Sequence, residues 1–254
     1  MKRSIIALTV CLGFAFAGSA SAALVAPTLD NVLSDGGGSV LVTDMAPLTG
    51  VTDSGQSYVQ LTDLSAPETA VATLLLEAAA YSGQNQFGIY SYNGAGVAPT
   101  ASEMLLLFGG SASAPSSATI DFDLGAGTAW YDRNNNATQD AGETATIGTT
   151  FGFYLISPDS HGGISNPTFF TDDQLNPDTT GTPHGLIYDI GQITGAIVGD
   201  PDVVVAFEDL LSTHSDWDYT DMVIGVTDVA PVPEPTTIAL LGLGSLAFMR
   251  KRRA

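Results

Sequence analysis

The sequence predicts a mainly β protein, a single jelly-roll-like β-sandwich body with at most one or two helices. Three observations carry that prediction. Short apolar runs recur along the chain, separated about every ten residues by the Gly, Asn, Asp, Ser and Pro that make turns. ATIDFDL (118–124) alternates apolar and polar residues, the period of a strand buried on one face. VVVAF (203–207) is continuous and β-branched, as a central strand would be.

In chain order, strands are expected in SVLVTDM (39–45), QFGIYSY (86–92), EMLLLFGG (103–110) and ATIDFDLG (118–125). They continue in TTFGFYLI (149–156), PTFFTDD (167–173), HGLIYDI (184–190), VVVAFEDL (203–210) and DMVIGVTDV (221–229). SAPETAVATLLLEAAAY (65–81) is the exception. Its Ser65-x-x-Glu68 reads as a capping box before an Ala/Leu-rich helix, with a strand through LLLE as the alternative. Residues 98–117, rich in small residues and prolines, read as loops within one domain, because neither side has enough strands to close a sandwich alone.

The two ends read as signals. Residues 1–22 have a basic start (Lys2, Arg3), an apolar run and an Ala20-Ser21-Ala22 end, the pattern of a secretory signal peptide cut by signal peptidase. The one cysteine, Cys11, lies inside that run, so the exported body (23–230) is expected to hold neither disulfide nor thiolate. At the other end, VPEP precedes a 12-residue apolar stretch, Ile238 to Met249, and an RKRRA terminus. As a helix that stretch spans about 18 Å, against roughly 30 Å of bilayer hydrocarbon. It suits a transient anchor with its basic end left in the cytoplasm.

Charge sharpens the picture. Six of the seven Lys and Arg residues are terminal, so Arg133 is the only basic residue between the two signals. All 27 acidic residues lie between Asp30 and Glu234, which leaves that span about 26 charges negative. Nucleic acid and anionic lipid surfaces are excluded as partners, because both select clustered Lys and Arg. Such self-repulsion opposes compaction unless cations or high salt neutralise part of it.

The order VPEP, apolar helix, RKRRA over 231–254 resembles the PEP-CTERM sorting signal of Gram-negative bacteria. The resemblance implies recognition of Pro233, Glu234 and Pro235 by an exosortase. It also implies delivery to the cell surface or to an exopolysaccharide matrix, with the membrane engaged only transiently.

Two constellations carry chemistry. In DRNNNATQDAGE (132–143), oxygen side chains fall at the first, third, fifth, seventh, ninth and twelfth places, including Asp132, Asn134, Asn136, Asp140 and Glu143. This is the ligand spacing of a calcium loop, with Glu143 placed as the bidentate ligand. Ala137 stands where the sharp turn of an EF-hand needs glycine, and the flanks read as strands. The loop is therefore expected to join two strands, with an Asn-rich polar turn as the alternative. In FEDLLSTHSDWDYTDMV (207–223), Glu208, Asp209, Asp216, Asp218 and Asp221 crowd five carboxylates with no Lys or Arg nearby. An extended backbone there would point Asp216 and Asp218 one way, and Trp217 and Tyr219 the other. A calcium site is the expectation, and a solvated acidic loop the alternative.

The second segment also carries a resemblance. GTTFGFYLI, TFFTDDQLN, HGLIYDI, VVVAFEDL and SDWDYTDMVIGV, in that order over 148–229, resemble the bacterial family called domain of unknown function 4114. GQNQFGIYSYNG resembles what precedes that domain in related surface proteins. The resemblance implies an extracellular β-rich module, often of calcium-rich proteins, and brings no activity. It implies that the five carboxylates from Glu208 to Asp221 sit close together.

No enzyme is expected. His161, His184 and His214 lack an H-E-x-x-H neighbourhood, no G-x-S-x-G occurs, and His161 and His184 read as surface turns. The expectation is a non-catalytic surface or matrix protein. A carbohydrate-binding module stacking sugars on Trp130, Tyr131, Trp217 and Tyr219 is the second reading, and a hydrolase the third.

Overall fold

The computed structural model describes residues 26–35, 48–65, 68–78, 81–134, 136, 139–158, 164–178 and 181–232. The expected signal peptide, the 39–45 strand, His161 and the sorting segment from Pro233 onward lie outside these residues. The described elements run α1 (Leu29–Asp35), β1 (Val59–Leu61), β2 (Glu68–Leu76), β3 (Gln86–Ser91), β4 (Met104–Phe108), β5 (Ser117–Asp123), β6 (Thr128–Trp130) and β7 (Thr144–Ala145). They continue with β8 (Thr150–Ile156), β9 (Thr168–Phe170), β10 (Gly185–Asp189), β11 (Val203–Phe207), β12 (Met222–Val226) and β13 (Val229–Pro231).

These strands form two antiparallel sheets. One orders them β13-β1-β8-β3-β4, with β9 also on β8; the other runs β10-β11-β12-β2-β5-β6-β7. The chain crosses repeatedly between sheets, so each is assembled from distant parts of the sequence. The main core lies between them. Phe87, Phe151 and Phe153 from one sheet meet Leu74, Ile120, Val205 and Phe207 from the other, and the rings of Phe87 and Phe207 pack edge-to-face at 6.1 Å.

A second apolar layer covers the outer face of the seven-stranded sheet. Leu29, Val32 and Leu33 of α1 pack with Leu48, Leu75, Leu186, Tyr188, Val204, Ala206 and Val223. That second cover explains why all five residues of β11 are buried, as its unbroken apolar run anticipates. β5 is buried at every second residue, matching its alternation.

The helix expected from Ser65 is corrected. Glu68–Leu76 is a strand, paired to β5 along one edge and to β12 along the other. Ala70, Ala72 and Leu74 share the face toward the main core, while Leu75 and Leu76 join the outer layer. Two filled edges and two buried faces outweigh the modest helical preference of Ala and Leu.

On the outer face of the six-stranded sheet, Tyr58, Tyr90 and Tyr154 form a third cluster. Gly88 pairs with Tyr154, and Gly152 with Tyr90, across β3 and β8. A Cβ on Gly152 would lie 2.5 Å from the Tyr90 ring, and one on Gly88 would lie 2.6 Å from the Tyr154 ring. Glycine there gives each tyrosine room to lie flat over the neighbouring strand.

Candidate metal centre

The acidic site grows from the end of the β11–β12 pair. The ladder closes at Phe207 and Met222, and the residues between them form one long connection. Its first residue, Glu208, continues the sheet, its N–H donating to the carbonyl of His184 at 2.9 Å. Strand pairing therefore fixes the Glu208 backbone and carries its side chain inside. The connection is held at several further points. Leu211 enters the main core, the Ser212 N–H donates to Asp178 Oδ2 at 2.6 Å, and the Tyr219 hydroxyl donates to the Pro183 carbonyl at 2.6 Å.

Between these anchors the backbone coils, which corrects the extended reading of 216–221. Trp217 and Tyr219 both take the left-handed conformation, at φ 60° and 58°. A non-glycine residue there costs of order 1–3 kcal/mol and persists only where its surroundings hold it. Tyr219 is buried in the outer apolar layer, Trp217 packs beside that layer, and Asp218 Oδ1 accepts from both the N–H and the hydroxyl of Thr220 at 2.9 Å.

The five carboxylates come together as two overlapping groups. Oxygens of Glu208, Asp209 and Asp221 lie within 4.8 Å of one another, and so do oxygens of Glu208, Asp216 and Asp218. Asp209 and Asp221 are tied directly, the Asp209 N–H donating to Asp221 Oδ2 at 2.8 Å. Glu208 is fully buried, and neither of its carboxylate oxygens receives a hydrogen bond of good geometry; the Ser215 and Asp221 side chains lie near enough to favour its ionised form without meeting that geometry. A buried ionised carboxylate with no donor is among the costliest arrangements a protein can hold. Burial, reinforced by repulsion from Glu208 and Asp209, pushes the Asp221 carboxyl well above its ordinary range; burial, with Asp216 and Asp209, does the same to Glu208. The group is thus driven to take up either protons or a cation.

One contributor was not legible beforehand. Asn85, immediately before β3, is almost fully buried and donates Nδ2 to Asp209 Oδ2 at 2.8 Å, while its own Oδ1 has no partner. It lies more than a hundred residues away in sequence, so spacing gave no sign of it.

His184 is corrected from a surface turn to a buried ring. It stacks on Phe169 at 4.2 Å, contacts Trp217 at 5.2 Å, and its Nε2 lies 2.8 Å from Asp178 Oδ1. Burial lowers its pKa, only partly offset by Asp178. His214 is exposed, with Nδ1 2.9 Å from Thr213 Oγ1.

The 132–143 loop joins two paired strands, β6 and β7. Its polar side chains bond mainly to one another. Asp140 Oδ2 accepts from the amides of Asn134 and Asn136 at 2.7 and 2.8 Å, and Asp132 Oδ1 accepts from the Asn136 N–H at 3.0 Å. Glu143 is buried and accepts from the N–H groups of Arg133 and Asp140 at 3.1 and 3.2 Å. Among the described residues, Asp132, Asp140 and Glu143 do not bring three ligand atoms within 4.8 Å of one another. Arg133 spends its guanidinium on the carbonyls of Leu106 and Gly142.

A separate recess is lined by Asp53, Gln56, Ser57, Thr171, Asp172 and Asp173, among others. Asp172 is fully engaged there, accepting from the Tyr58 hydroxyl and from the N–H groups of Gly96 and Gln174.

Comparison with known families places this geometry. Residues 146–228 match the family described as a domain of unknown function (DUF4114), and residues 231–253 match the PEP-CTERM protein-sorting motif. The first match contains all five carboxylates but not Asn85, and it supplies only part of each sheet. The second implies export, recognition by an exosortase at the C-terminus, and sorting to the envelope or surface of a Gram-negative bacterium. No curated protein and no solved structure matches the chain.

Proposed function

We propose that this chain is a non-catalytic cell-surface or matrix module whose sandwich is locked by calcium bound among Glu208, Asp209, Asp216, Asp218 and Asp221. The observation that carries the reading is Glu208, fully buried with both oxygens lacking a donor and surrounded by four other carboxylates. Calcium is the natural occupant. It takes six to eight hard oxygens at about 2.3–2.6 Å and tolerates irregular geometry. An ion there ties the start of the 208–221 connection to its end, and so fixes β11 against β12.

Exopolysaccharide is the proposed surrounding rather than a ligand of this site. Tyr219 is buried and Trp217 packs on His184, so the pair supports a structural reading over a sugar-stacking face. In the recess beside Asp172 the Asp172 oxygens are already committed, which weighs against that carboxylate as a hydrolytic base.

Melting the protein with calcium, with chelator and with sodium chloride at matched ionic strength tests the reading. At a hundredfold excess over its dissociation constant, calcium adds about 2.7 kcal/mol if it binds only the folded state. Magnesium should restore little, since it holds its waters and demands a tight octahedron. Equal stabilisation by sodium chloride would remove the calcium site and leave general screening.

A further inference from the structure

Resting on that calcium reading, we infer that the site is binuclear, with Glu208 bridging two cations, one ion on the Asp209–Asp221 side and one on the Asp216–Asp218 side. Oxygens bound to one calcium lie at most about 5 Å apart, twice the metal–oxygen distance. Each three-carboxylate group meets that limit, and Glu208 is the member common to both. One ion in one shell would gather the five carboxylates into a single group; the protein divides them into two.

Glu208 has the form of a bridge. It has two oxygens, both buried, and neither receives a hydrogen bond of good geometry. A single ion could hold both oxygens in bidentate fashion, but it would leave one of the two acidic pairs facing Glu208 uncompensated. One ion on each satisfies both. Charge points the same way. Five ionised carboxylates facing one divalent ion keep three uncompensated negative charges, and two ions reduce that to one.

Asn85 adds an independent mark on the inner side. Its Oδ1 is buried and unpartnered while its Nδ2 reaches Asp209. Rotating the amide about its last bond exchanges the two atoms and turns the oxygen toward Asp209. That exchange is repulsive with the pocket empty and favourable with a cation between the two oxygens. Asn85 is thereby a neutral ligand of the inner ion.

Equilibrium dialysis of the full-length chain against radioactive calcium tests the inference, comparing the parent with Asp216→Asn, Asp221→Asn, the double variant and Glu208→Gln. Glu68→Gln, at the far end of β2, is the charge-matched control. Asp216→Asn is expected to lose one equivalent, and the double variant and Glu208→Gln to lose two. Circular dichroism at saturating calcium checks that each variant is folded. If Glu208→Gln does not fold, the double variant decides alone. A loss of one equivalent in the double variant overturns the second ion and leaves the calcium reading standing. No loss beyond that of Glu68→Gln overturns both.

Discussion

Individual residues decide what the site can do. Asn85 holds Asp209 from the residue just before β3, a strand of the opposite sheet, so the acidic connection is coupled to both halves of the sandwich. Asn85→Ala removes a buried donor to a carboxylate and is expected to destabilise the protein by about 1–3 kcal/mol, read from denaturant melts. Trp217 and Tyr219 show the other side of residue-scale control. Their left-handed backbone is the kind of strain that local preference avoids and tertiary packing enforces. The acidic spacing was legible from sequence, and so was the absence of a basic partner. The coil that folds the carboxylates over Glu208 was not, because no local pattern selects left-handed Trp and Tyr.

At the scale of elements, the two acidic loops have become different objects. Both join antiparallel strands, and both looked like ion sites from spacing alone. In the β6–β7 loop, Glu143 caps two backbone N–H groups and Asp140 gathers two asparagine amides, so the polar atoms already satisfy one another. Glu143→Ala should therefore cost about 1–3 kcal/mol whether or not calcium is present. An increment that appears only with calcium, measured by paired melts, would return this loop to the ion sites. In the β11–β12 connection the buried Glu208 carboxylate is the one left without a donor among these acids, and the proposed ion site is placed there. Spacing cannot separate the cases, since the difference is whether amides or other carboxylates face each oxygen. The 65–81 segment teaches a related lesson, for its Ala/Leu content suits a helix until β5 and β12 occupy both its edges.

For the whole molecule, the excess of negative charge and the buried acids together set the response to pH. Glu208 and Asp221 have folded-state pKa values raised above their unfolded ones. Without calcium the folded state therefore binds more protons. That contribution is fully present below about pH 4 and is lost as pH rises through the raised values. Calcium reverses the sense by requiring the ionised form, and its binding releases protons. The expected outcome is that chelated protein loses stability from pH 5 to pH 8 while calcium-saturated protein gains it. Melting temperatures across that range check the crossing; parallel curves would show that calcium does not bind at these acids.

The sequence by itself determined the export and sorting logic, the mainly β character and the excess of acidic residues, because each is written in composition, contiguous motif or local period. It also marked β11 as a central strand, since its apolar run is unbroken and β-branched. Only the tertiary structure decided that α1 covers one face of that strand, that Glu68–Leu76 is a strand, that His184 is buried, and that Glu208 is buried without a donor. The physical reason is common to all four. Each depends on what lies across a sheet or over its face, and in a sandwich that crosses repeatedly between its layers those neighbours are set by chain segments remote in sequence.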